Sequence, residues 1–280
     1  NKTSLGLILL GNTDKLSATN NLFYQCHTGF RCGTDSGQYY DYNMTVENNH
    51  YEYCYNAIEI NNRISVELEY EIIYNCKNGV FTGSTISGDI KFENMIFSNI
   101  TEYCFEIITI GDEDFTNLMI FNNITINKCG YSGILFDDCY TKFIISNSTF
   151  NKCCLGGDYG AITQWGGGNL EIYNTTVTNN WMGIVLNSHS KTIVKDNRIS
   201  NNHLGFYVGG NGARIYDNIV ENNSWGYQLN GNTNKIYRNM NIDNKVQIEY
   251  TAGTGNRLYG DYPAGGNYWS DYTGTADVKN

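Results

Sequence analysis

Ten times along this chain an Asn or Asp, less often another residue, is followed three positions later by an apolar residue and, in eight of the ten, six later by Cys or Asn. The triplets are Asn20/Phe23/Cys26, Asn48/Tyr51/Cys54, Tyr70/Ile73/Cys76, Asn94/Phe97/Ile100, Asn123/Ile126/Cys129, Asn147/Phe150/Cys153, Asn174/Val177/Asn180, Asp196/Ile199/Asn202, Asp217/Val220/Asn223 and, loosely, Asn239/Ile242/Lys245. The last position advances by 21 to 29 residues per unit. A period of that length means stacked supersecondary units, with insertions going into loops.

Each unit continues into a small residue and an apolar alternation, as in Gly79-Val80-Phe81, Gly133-Ile134-Leu135, Gly183-Ile184-Val185, Gly205-Phe206-Tyr207 and Gly226-Tyr227-Gln228. Short β-branched and aromatic runs bounded by Asn and Gly read as strands, and no window holds a helical period over helical length. Leucine-rich repeats share the spacing but need a leucine consensus that these positions lack. One coil cannot bury its apolar face alone; stacked coils can, each strand pairing with its equivalent above. The expected fold is all-β: a single-stranded right-handed parallel β-helix, a solenoid of about ten coils. Residues 1–257 form the helix and 258–280 a capping segment of the same domain, with Tyr268, Trp269 and Tyr272 closing the last coil. One proline and no charged or Ser-rich stretch leave no linker to divide it.

Stacking puts like positions in register. Asn180, Asn202 and Asn223 are expected to form a ladder in which each amide donates to the next. Cys26, Cys54, Cys76, Cys129 and Cys153 hold that same position in earlier units. Vertical bridges Cys26–Cys54, Cys76–Cys104 and Cys129–Cys153 are one expectation, and a file of buried free thiols is the other. With nine cysteines one must stay unpaired, and Cys32, Cys139 and Cys154 lie off the file as free or intermolecular thiols.

A net charge of −10 argues against nucleic acid and anionic membrane surfaces, which are bound through excess Lys and Arg. No apolar run reaches transmembrane length; Leu5 to Leu10 reads as a first strand. The chain begins at Asn1 with no signal-like segment and reads as processed or truncated. Cysteines without a CxxC pair, 41 asparagines and sequons at Asn1, Asn43, Asn99, Asn123, Asn147, Asn174 and Asn222 place it outside the cell, with glycosylation expected at some of these.

The NN-x-x-G-I-x-L units and the closing GGNYWSDYTG, Gly265 to Gly274, resemble the right-handed parallel β-helix repeats of archaeal surface proteins. They are similar also to the helix domain of the periplasmic copper-binding protein family that serves nitrous oxide reductase. The resemblance implies the fold strongly and the function weakly, because many activities have been built on stacked coils.

Copper would need imidazole or soft ligands brought together, whereas His27, His50, His189, His203 and the five methionines fall in different units. His203 shares its position with Trp181 and Ser224, so that file is not a ligand file. Asp137-Asp138 and Asp112-Glu113-Asp114 are the acidic clusters; the plainer account is solvated turns, with loose calcium binding as the metal alternative. The Gly-His-Gly, Arg-Ile-Lys and Asp-Pro-His-Glu signatures of β-helix polysaccharide enzymes are missing. Trp165, Trp181, Trp225 and Tyr39, Tyr40 and Tyr42 could stack on sugars; the recurrence of Trp181 and Trp225 at nearly one position suggests instead that each covers its neighbour.

No catalytic, cofactor or metal residues are assigned. The expected function is a structural cell-surface protein (envelope, sheath, filament or adhesin subunit) that associates with itself or with other envelope proteins, since nothing resembling a capping helix precedes Leu5. The alternative is a polysaccharide lyase, hydrolase or epimerase acting on acidic glycans, and the third reading is a carbohydrate-binding module.

Overall fold

A computed structural model of the chain describes residues 6–9, 15–33, 43–61, 65–83, 88–108, 118–137, 139, 141–187, 191–261 and 265–271. Among them every regular element is a strand, and every strand pairs in parallel with its equivalent one coil on. Three sheets result. Sheet A runs in eleven strands from Leu7–Leu9 through Thr28–Cys32 to Val246–Tyr250; sheet B in ten from Lys15–Thr19 to Lys235–Tyr237; sheet C in eleven from Leu22–Tyr24 to Tyr268–Trp269. This is a right-handed parallel β-helix. No helix long and apolar enough to cross a membrane occurs among the described residues.

The triplets are its corners. In nine of them the first residue, from Asn20 to Asp217, turns the chain from sheet B to sheet C at φ between 49° and 59°. That left-handed conformation penalises most side chains and is tolerated best by Asn and Asp, which explains who sits there. The middle residue points inward from sheet C; Phe23, Tyr51, Ile73, Phe97, Ile126, Phe150, Val177, Ile199 and Val220 are register partners and buried. A second left-handed residue, such as Tyr53, Asn75, Asn179 or Asn201, turns sheet C into sheet A just before the Cys or Asn.

The last unit is shifted by one from the expected triplet. Val220 pairs with Asn241 and Glu221 with Ile242, so the tenth unit is Arg238/Asn241/Asn244. Arg238 takes the left-handed corner (φ 55°), and Asn239 belongs to a different file.

That file is the inward residue of the B–C corner. Asn197 N–H donates to Asn218 Oδ1 (3.0 Å), Asn218 to Asn239 (3.0 Å) and Asn239 to Asn267 (3.0 Å); each amide nitrogen repeats the bond to the same oxygen. At the C–A corner Asn180, Asn202, Asn223 and Asn244 do likewise, with Nδ2 to Oδ1 distances of 3.0, 3.1 and 2.9 Å. Each Asn thus satisfies a corner N–H that no strand can reach, while its amide nitrogen caps a carbonyl of the preceding coil, Val177 in the case of Asn202.

Cys104 lies outside this file, so Cys76–Cys104 is not a vertical pair. Ile100 holds the file position between Cys76 and Cys129, being the register partner of Cys129. Cys104 precedes Phe105, whose partners are Val80 and Ile134, and so aligns with Gly79 and Gly133 in the small-residue file. No disulfide joins the nine cysteines in this structure, and all but Cys26 are buried.

The B–C corner is always two residues, whereas the A–B connection runs from three (Gly166–Gly168) to ten (Gly33–Tyr42). The interior is apolar, with Phe92 and Phe121 stacked at 4.8 Å and Phe206 on Tyr227 at 5.1 Å. At the C-terminal end Trp269 packs on this core and lies 6.5 Å from Tyr227; Tyr268 is exposed, and Tyr272 falls outside the described residues.

Candidate functional site

Outward positions of sheet A also form files. Thr163, Val185, Tyr207, Gln228 and Glu249 are successive register partners, and beside them run Met182, Leu204 and Trp225. Over this face lies a groove of about 490 Å³, lined by these residues except the buried Thr163, together with Gly157, Asp158, Trp165, Trp181, Asn187 and His203. It crosses five strands, from Ile162–Trp165 to Val246–Tyr250, so it runs about 19 Å along the helix axis.

Its floor is aromatic. The His203 ring stacks on Trp181 at 3.8 Å and 13°, and Trp225 meets its other side edge-on at 4.7 Å. Trp181, His203 and Ser224 share a file, as expected; Trp225 sits one residue later, in register with Leu204. The two indoles therefore come from different files and converge on one imidazole. They cover a neighbour, yet Trp181 remains 41% exposed and offers its free face to the groove.

One wall comes from an insertion. Elsewhere the C–A corner is short, but after Thr149–Cys153 it extends from Cys154 to Ala161 before the next sheet A strand. The loop brings Asp158 to the groove and stacks Tyr159 on Trp165 at 4.8 Å. Tyr159 also touches Tyr103 (5.8 Å) and Tyr131 (6.4 Å), continuing the aromatic ridge over earlier coils. Burial and the Tyr159 hydroxyl push the Tyr103 phenol up.

At the far end Gln228 Nε2 donates to Glu249 Oε2 at 3.2 Å, and on the flank Asn230 Nδ2 donates to Tyr207 Oη at 3.1 Å. Asp137 is the register partner of Trp165 and is not among the lining residues. Burial, then Glu102 and Asp137, raise the Glu106 carboxyl on the same sheet. Asp138, the Asp112-Glu113-Asp114 cluster, Tyr39, Tyr40, Tyr42, His189 and Asn1 lie outside the described residues.

The position two after the small residue, quoted above as Val185, Tyr207 and Gln228, is the groove's floor and was readable as a file. Asp158 and Tyr159 were not, because their loop interrupts the repeat rather than following it.

The described residues do not assemble a copper centre. No three His, Cys, Asp or Glu side chains converge. His27 stacks on Tyr55 at 4.9 Å, His50 lies between Leu22 and Ile72 in sheet C, and His203 is flanked by indoles. Met182 lines the groove with His203, and Cys104 and Cys153 are buried thiols whose pKa burial raises.

Fold and groove together define an all-β solenoid of the parallel β-helix class with a ligand-sized cleft along one sheet. The family model described as periplasmic copper-binding protein (NosD) matches residues 107–274, more than half of the sequence, and the chain belongs to that family. The family description places its members in the periplasm, in keeping with a location outside the cytoplasm. No curated protein sequence matches the chain. Among solved structures, the A-module of the Azotobacter vinelandii mannuronan C-5 epimerase AlgE4 is similar at 11% identity and TM-score 0.54, over 92% of this chain and 78% of that one. The AlgE6 A-module from the same organism gives 12% and 0.53, over 85% and 78%. Identities this low speak for shared fold alone.

Proposed function

We propose that this protein is an extracytoplasmic β-helix scaffold that binds a linear glycan in the sheet A groove. The stacked Trp181–His203 pair beneath an open cleft is the observation that carries this reading. Pyranose rings present C–H faces that stack on indole, and rigid aromatic surfaces lose little entropy on binding. Four coil spacings, about 19 Å, give room for a short run of sugar units. Titrating a panel of linear oligosaccharides against intrinsic tryptophan fluorescence tests it. Binding should appear for some members and weaken about tenfold in Trp181→Ala. A panel without any response, or affinity unchanged by Trp181→Ala, would refute it. Chemical change in a bound oligosaccharide would add catalysis, with Asp158 and Glu249, the carboxyls that line the groove, the first to substitute.

A structural, self-associating role is the second reading, favoured by sheet C. Leu22, Ile72 and Ile96 lie in one outward file, 68%, 43% and 48% exposed, with Tyr24 and Tyr74 beside them. In the next three coils the same file carries Thr125, Thr149 and Thr176, before Arg198, Ile219 and Met240. Solvent alone asks only for the threonine version, so the apolar half is surplus to the fold and suits a contact with another molecule.

A further inference from the structure

We infer that the groove selects glycans bearing free amino groups, such as glucosamine oligomers, over uronate polymers and fully acetylated chains. The inference rests on the glycan reading above and deepens it.

Its basis is the charge of the lining. Asp158 on the inserted loop and Glu249 on the last sheet A strand stand at opposite ends, and no Lys or Arg is among the lining residues. Neither carboxylate has a cationic partner among the described residues. Other carboxylates do: Glu59 with Arg31, Glu171 with Lys142, Glu221 with Arg198, Asp217 with Arg238 and Asp261 with Lys235. Lys245, which follows Ser224 in the Trp181 file, is exposed and lies outside the lining.

A uronate polymer would bring one negative charge per sugar into a cleft that already holds two. Like-charge juxtaposition of this kind is costly and acts as a filter. A chain of protonated amino sugars meets the opposite situation. Its ammonium groups pair with Asp158 and Glu249, and between them the indole faces of Trp181 and Trp225 attract cations directly. Gln228 holds one oxygen of Glu249, fixing the carboxylate as it faces the cleft. The two charges are four coils apart, so a regular polymer with one amine per sugar can satisfy both without bending.

Isothermal titration of the purified chain with the glucosamine tetramer, the N-acetylglucosamine tetramer and a mannuronate tetramer tests this. The glucosamine tetramer should bind tightest and lose affinity between about 0.1 and about 1 M salt. Asp158→Asn with Glu249→Gln should weaken it roughly fivefold while leaving the acetylated tetramer unchanged. Both side chains are exposed, so the double variant should keep the parent melting temperature, which is measured alongside. Equal or tighter binding of the acetylated or the mannuronate tetramer, or indifference of glucosamine binding to the double variant, overturns the inference and leaves the glycan groove standing. Failure of all three tetramers and of the whole panel overturns both.

Discussion

The backbone N–H of Cys153 donates to Oδ1 of Asn180 at 2.7 Å, and at that bond a file of thiols becomes a file of amides. The exchange has a common denominator. Cys54 and Cys76 direct Sγ to the carbonyls of Phe23 and Tyr51 (3.6 and 3.7 Å), the same carbonyl position that Asn180, Asn202 and Asn223 cap with Nδ2. Thiol and amide both supply the donor; the amide oxygen alone also accepts the N–H of the coil before. The later coils therefore carry the stronger clamp.

Asn202→Leu should cost on the order of 1–3 kcal/mol, because it removes the acceptor of Asn180 and the donor to both Asn223 and the Val177 carbonyl. Chemical denaturation would show it. An unchanged midpoint would remove the ladder from the list of stabilising features.

Glu71 occupies the B–C file between Asn49 and Met95, fully buried. Its Oε1 accepts from the backbone and side chain of Asn49, while Oε2 has no hydrogen-bond partner and lies near the Tyr51 hydroxyl. Burial raises its carboxyl from 4.5 to about 7, against the bonds from Asn49 and the nearby Tyr51 hydroxyl. Folding thus favours the protonated form, so this contribution to stability is complete below about 4.5 and is lost as pH rises through about 7. Glu71→Gln should keep the Asn49 bonds, abolish that slope and gain on the order of 2–3 kcal/mol above neutrality. Melting curves across this pH range that coincide in shape for the two proteins would argue against it.

Native reduced protein should react with a thiol reagent at Cys26 alone, since the other eight cysteines are buried. Peptide mass spectrometry after brief alkylation gives the count. Burial leads the causes that raise the Cys104 and Cys153 thiols, which disfavours their reactive thiolate forms. Under oxidation Cys129 and Cys153, direct register partners, are the pair to find bridged. Labelling of Cys129 or Cys153 in the native state would contradict the burial.

Sequons at Asn123, Asn147 and Asn174 follow from the corner itself: a left-handed Asn, one inward residue, then a Thr opening sheet C. They stack along the axis, with Asn174 Nδ2 donating to Asn147 Oδ1 at 2.6 Å and Asn147 Nδ2 to Asn122 Oδ1, beside Asn123, at 2.8 Å. Expression in a glycosylating host should give glycopeptides in which neighbouring corners are never occupied together. A molecule carrying sugar on all three would show that the corners separate.

Ile72→Thr with Ile96→Thr should leave folding intact, because Thr holds the equivalent place in later coils, and should reduce any association seen by sedimentation velocity. Identical sedimentation of variant and parent would deny sheet C that role.

Corners and core were legible because a left-handed turn followed by an inward residue restricts composition at fixed offsets. The unit at Arg238 escaped since Arg took the corner and the neighbouring Asn239 mimicked it. Cys104 was misplaced because a thiol fits both the amide file and the small-residue file. The groove was half visible: Tyr207 and Gln228 repeat, but convergence of Trp181 and Trp225 depends on side-chain direction, and Asp158 arrives on a loop that obeys no period.

The two-residue B–C corner fixes each coil's pitch on one edge, while the stretches joining sheet A to sheet B vary freely in length. Selection can therefore rework the margin of the cleft, lengthening or shortening its rim one coil at a time, without disturbing the spacing of the platform on which a ligand is measured.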